Sequence, residues 1–170
     1  AYTVTQTLPF AMALSYSRRT FVVGAYLAFA AVSVGFGVAY MAAAWIERVT
    51  DGFGIHAYQF DTPFMTGSNG ILGAGVLAAA LTLAVMVVTF LFAAIFRRVS
   101  ILGFWTLLIG LAAVLAAAFL LVIRNVGWSG IGDWFLTQTA LSGAVYLLGV
   151  AVLAGILGYV ILRRDTLRAG

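Results

Sequence analysis

Side chains able to ligate a metal or move a proton are few in this chain, and most of them gather in one stretch. Residues 46–70 hold Glu47, Arg48, Asp51, His56, Gln59, Asp61, Ser68 and Asn69, and His56 is the single histidine of 170 residues. One imidazole beside Asp51 or Asp61 is a possible donor set, but it lacks the fixed ligand spacing that metal sites show. A solvated or snorkelling loop accounts for these residues better, and no metal ligand is assigned. Cysteine is absent, which removes disulfides, thiolate metal sites and a cysteine nucleophile, and leaves the redox compartment open. A membrane-embedded enzyme would need paired carboxylates or a histidine cluster at one depth, and the sequence has neither. The reading is therefore a non-enzymatic chain with no catalytic or cofactor-binding residue of its own.

The elements that flank this polar stretch are long and apolar. Hydrophobic residues make up 64% of the chain and charged residues 8%, with a mean hydropathy of +1.13, whereas soluble domains carry about 25% charged residues. The fold class that follows is all-α, a polytopic transmembrane helix bundle. Four runs are long enough for a hydrocarbon core that needs roughly 20 apolar residues: 20–45, 71–96, 101–123 and 137–162. Gly24, Gly35 and Gly37 in the first run read as places of close helix packing. Segments 46–70 and 124–136 are the loops between runs on one side. Asp61-Thr62-Pro63 reads as the start of a short interfacial helix over Pro63 to Thr66, and Ser68-Asn69 as the caps of the second run. Val99 and Ser100 alone separate the second and third runs, which implies a tight antiparallel hairpin. In 124–136, Gly127, Trp128, Gly130, Gly132, Asp133 and Trp134 read as a re-entrant or surface-lying turn, with Asp133 capping a helix that begins at Trp134.

The net charge of +4 comes from nine arginines against five acids, with no lysine. Arg18, Arg19, Arg97, Arg98, Arg163, Arg164 and Arg168 fall on one side of the alternating runs, and Arg48 and Arg124 on the other. By the positive-inside rule the first side, with both ends of the sequence, is cytoplasmic. This pattern reads as membrane topology and not as nucleic-acid binding. No run carries an ionisable side chain in its middle, which disfavours a proton-coupled or ion-coupled pump. Walls of alanine, leucine, glycine and phenylalanine, with hydroxyls at Ser33, Thr82, Thr89 and Thr106, suit an apolar or amphiphilic substrate or contact with lipid and neighbouring helices.

Ahead of the first run, Thr7 caps and Pro9 opens a short helix over 7–19. Leu8, Phe10, Met12 and Leu14 make it apolar at one end, and Ser15 through Arg19 make it polar at the other, so it belongs at a membrane interface. Residues 1–7 have neither the charged nor the apolar region of a signal peptide. The start at Ala1 is read as lying inside a longer protein.

Leu8-Pro9-Phe10-Ala11-Met12-Ala13-Leu14, followed by Arg18-Arg19, Phe21 and Gly24, resembles the cytoplasmic coupling segment of ABC-2-type transporter permeases, especially compact actinobacterial ones. Phe96-Arg97-Arg98 before Gly103, Gly132-Asp133-Trp134, and Gly158-Tyr159 before Arg163-Arg164 resemble that family in order and approximate spacing. Ser15, where the family often has glycine, together with Tyr16 and Thr20, departs from the usual pattern. The resemblance implies spans three to six of a six-span permease, an exporter in a bacterial plasma membrane. It also implies a second permease subunit, identical or different, and ATPase subunits that bind the ATP and magnesium. Consistent with a separate ATPase, a chain without lysine cannot form the G-x-x-x-x-G-K-[ST] phosphate loop. Under the same resemblance Leu8, Pro9, Phe10, Met12, Leu14, Tyr16, Arg18 and Arg19 form the coupling helix. Phe10, Met12 and Leu14 are its apolar knobs, and the arginines anchor it. A structural or accessory subunit of a larger membrane complex is the alternative reading.

Overall fold

The computed structural model describes residues 18–164. Among them are five α-helices and no strand: α1 (Arg18–Val49), α2 (Pro63–Thr66), α3 (Gly70–Arg98), α4 (Ile101–Thr137) and α5 (Ala140–Arg164), with one irregular turn over Gly52–His56. Four helices are long and apolar enough to cross a membrane, and the chain is an all-α membrane protein. The described residues divide into two compact units, one holding residues up to Ala94 and from Thr139 onward, the other Ile95–Gln138.

In the first unit α1, α3 and α5 pack through small residues at helical spacing. On α1 the buried positions Val22, Ser33, Gly37, Ala44 and Glu47, with half-buried Tyr26, Phe29 and Tyr40 between them, recur every three or four residues. On α5 the same spacing joins the buried Ala140, Ala144, Ala151, Ala154, Gly158 and Leu162, with half-buried Leu147 between Ala144 and Ala151. Lipid tails are as apolar as leucine, so helices in a bilayer gain little by hiding large side chains. They associate where small ones let backbones approach. Gly37 is such a place: a Cβ there would lie 2.7 Å from the Gly75 carbonyl oxygen and 2.8 Å from the Ala79 Cβ of α3. Gly24 and Gly35, read from sequence as packing glycines alongside Gly37, have open space around that position instead.

Toward the arginine end, Val22, Phe90, Ala93, Ala94 and Leu162 form one buried cluster, with Tyr26, Phe29 and Tyr159 against it. Tyr26, Phe29 and Phe90 meet ring to ring, their centroids 5.4 to 6.4 Å apart. Toward the other end Leu77, Ala80, Ala140 and Ala144 form a second cluster under Met65 and Leu147. Hydroxyls inside the helices are mostly absorbed locally, since Thr82, Thr89 and Thr106 each donate to the carbonyl four residues earlier. The buried Ser33 hydroxyl has no hydrogen-bond partner among the described residues.

The second unit is built on α4, and here the sequence reading needs correction. Segment 124–136, expected as a loop, is helical except at Gly127, whose φ of 74° and ψ of 168° break the helix into two pieces. Glycine takes this positive φ without the Cβ penalty other residues face. Asn125 stays inside the first piece, its side-chain amide donating to the Leu121 carbonyl. Asp133 therefore sits within a helix and caps none. The last span starts later than expected, at Ala140, where Thr139 and Ser142 bond reciprocally: each side-chain oxygen accepts from the other's backbone N–H, at 3.3 and 2.9 Å. That exchange satisfies donors that a helix start otherwise leaves open.

Candidate functional site

Most of the sequence-derived coupling residues, Leu8, Pro9, Phe10, Met12, Leu14 and Tyr16, lie outside the described residues. Arg18 and Arg19 open the described part of α1, with Arg19 exposed. Residues 20–45, expected as the first span, lie wholly inside this one helix. Nothing interrupts α1 between the paired arginines and the far end of the span.

The polar stretch after α1 is folded onto that helix. An α-helix of 32 residues rises about 48 Å, longer than a hydrocarbon core of about 30 Å, and Glu47 and Arg48 stand in the last turn of α1. Backbone donors packed under a closed surface need partners. Glu47 supplies them. Its side chain is fully buried, and one carboxylate oxygen accepts from Gln59 N–H at 2.6 Å while the other accepts from Phe60 and Asp61 N–H at 2.7 and 2.6 Å. Arg48, next along the helix, donates from Nε and an Nη to the two oxygens of Asp61 at 2.8 and 2.7 Å. Such two-point pairing fixes direction as well as distance. The Arg48 guanidinium, with help from the Thr66 hydroxyl, holds the Asp61 carboxyl below the usual carboxylate range. Phe60 meets Tyr40 edge to face at 5.1 Å, and the Tyr40 hydroxyl reaches the Met65 sulfur.

The turn between these anchors is tight. Asp51, Phe53 and His56 all have φ between 50° and 57°, a region non-glycine residues seldom occupy. Asp51 holds it from both sides, accepting from the Tyr58 hydroxyl and lying 3.0 Å from His56 Nδ1. The Asp51 carboxylate raises the Tyr58 phenol above its ordinary value, mainly through that hydrogen bond. The loop is therefore docked, not free. His56 and Asp61, considered together for a metal, go to different partners, and among the described residues no group of three such side chains could hold an ion. Pro63–Thr66 is helical as expected, but the residue ahead of it is Thr62, whose side chain makes no capping bond. Asp61 is engaged by Arg48 instead.

Sequence reading missed the role of Glu47. A signal existed: a lone acid directly after Ile46 at the end of an apolar helix, followed by some twenty residues that must find backbone partners. At the arginine end, the Tyr26 hydroxyl donates to the Gly155 carbonyl of α5 at 2.9 Å, over a Gly158 whose Cβ would lie 2.8 Å from that hydroxyl oxygen. Beside this contact α1, α3 and α5 enclose an apolar cleft of about 450 Å³ lined by Tyr26, Leu83, Val87, Val152, Ile156 and Tyr159, among others. Comparison with protein-family models, with characterised proteins and with solved structures finds no match to this chain.

Proposed function

We propose that this chain is the membrane-spanning permease subunit of an ATP-driven transporter of the ABC-2 type, exporting an apolar or amphiphilic substrate across a bacterial plasma membrane. The observation that carries the reading is α1. It runs unbroken from the arginine pair that follows the coupling-like segment, and it is fastened to neighbours near both of its ends, to α5 through Tyr26 and to the 50–69 connection through Glu47. Gly37 seats it on α3 between those points. A helix held in this way moves as a body. A push on Leu8 to Tyr16 from a closing pair of ATPases would tilt α1 and carry α5 with it, a rigid-body gating step. The absence of ionisable residues in mid-span supports an apolar or amphiphilic cargo over an ion. ATP and magnesium belong to the partner ATPases, a second permease subunit completes the translocation path, and both ends of this sequence lie in the cytoplasm.

The test is purification of the chain from its native membrane in mild detergent, with mass spectrometry of what stays bound and an ATPase assay of the eluate. The proposal expects a co-eluting ATPase whose turnover drops about tenfold in Phe10→Asp and Leu14→Asp, the size of an ordinary coupling energy. Co-elution of other membrane subunits alone, with no ATP hydrolysis, would replace it with an accessory role.

A further inference from the structure

We infer that the cleft between α1, α3 and α5 is a seat for one acyl chain of an anionic phospholipid, drawn from the leaflet at the arginine end. Three features of the cleft point to this occupant, whatever the chain transports.

The first is chemical: the lining is apolar throughout, and the one hydroxyl in it with an assigned bond, that of Tyr26, is occupied by the Gly155 carbonyl. The second is length. Along α5 the lining runs from Leu148 to Tyr159, a rise of about 16 Å, which matches half of a hydrocarbon core of about 30 Å. A partner helix would cross both leaflets and need a groove of twice that length, whereas an acyl chain ends at the midplane. The third is charge beyond one end of the lining. Tyr159 lies four and five residues before Arg163 and Arg164 on α5, and Tyr26 lies seven residues after the exposed Arg19 on α1. The clustering of Val22 with Leu162 brings those two helix ends together. Counted along the helices, the Tyr26 and Tyr159 end of the lining thus lies one or two turns from basic residues, the setting in which an anionic headgroup is held at a membrane surface. Val152 and Ile156 are 60% and 56% exposed, so the cleft is reachable sideways from the bilayer.

The test uses the full chain in detergent micelles with equal amounts of phosphatidylglycerol and phosphatidylcholine of the same acyl composition, read by native mass spectrometry. Preferential retention of one phosphatidylglycerol is expected. Arg163→Gln and Arg164→Gln together reduce that preference by about fivefold per arginine, since each basic residue near an anionic surface contributes about that much. Val152→Trp and Ile156→Trp fill the cleft from exposed positions and lower retention of both lipids while the thermal unfolding temperature holds. Equal retention of the two lipids in the unaltered chain would overturn the headgroup half. Undiminished retention in the tryptophan variants, or a co-purified protein crosslinking at position 152 in place of lipid, would overturn the acyl-chain seat.

Discussion

Glu47 shows how one side chain can organise twenty residues. A carboxylate that accepts three backbone N–H groups under a closed surface supports the connection from below, and Arg48 holds the same strip from beside it through Asp61. Because Arg48 depresses the Asp61 carboxyl in the folded state, that carboxyl adds stability above its ordinary, unfolded value. The contribution then disappears as pH falls through the lower, folded value. The hydrogen-exchange protection of the backbone over 52–62, corrected for the intrinsic pH dependence of amide exchange, should therefore be high and constant at neutral pH and fall as the solution is acidified below the carboxylate range. Asp61→Asn should exchange faster at neutral pH with a weaker acid response, and Glu47→Ala should lose protection at Gln59, Phe60 and Asp61 at every pH. Protection unchanged in Glu47→Ala would mean that the loop is held by its other contacts. These residue types were all legible in the sequence, but their partners were not. Polar side chains in a loop read as solvated unless something indicates burial, and burial here comes from the connection folding back over the end of α1.

At the scale of elements, hydropathy located the four spans, yet it could not say which face of each is packed. Helices that are apolar all round carry no amphipathic contrast, and the packed faces are marked by small residues at three- and four-residue spacing. Even that signal is ambiguous for single residues, as Gly24 and Gly35 show. Gly37→Leu must displace the Gly75 carbonyl and the Ala79 methyl, and overpacking of this kind costs about 1–3 kcal/mol. Gly35→Leu, two residues away in open space, should change stability by less than about 0.5 kcal/mol, as substitutions away from packed features do. Unfolding in mixed micelles of mild detergent and dodecyl sulfate compares the two, and equal losses would place the α1–α3 contact elsewhere. Glycine misled in the other direction in α4. The cluster of Gly127, Gly130 and Gly132 has the composition of a turn, yet only Gly127 leaves helical geometry, since a glycine within a helix costs only about 1 kcal/mol relative to alanine.

For the whole molecule the charge pattern makes a statement about direction that helix geometry does not. By the positive-inside rule, seven of nine arginines on one side of the alternating apolar runs predict that the connection 50–69 lies outside the cell and that the junction at Val99-Ser100 and the segment after Arg164 lie in the cytoplasm. These 170 residues hold no cysteine, so within them a thiol label reports only the residue introduced. Ile55→Cys is the natural outer probe, being 76% exposed in the docked turn, with Ser100→Cys and Ala169→Cys as inner probes. In intact cells a membrane-impermeant maleimide should label position 55 alone, and positions 100 and 169 should react only after permeabilisation. The reverse pattern would invert the orientation and place the coupling-like segment where no cytoplasmic ATPase could reach it. Labelling of 55 and 100 from the same side would mean that α3 does not cross. Only the expected pattern would bring Arg19 and the Tyr26 and Tyr159 end of the apolar cleft to the cytoplasmic leaflet, where the proposed lipid and the proposed ATPase both require them.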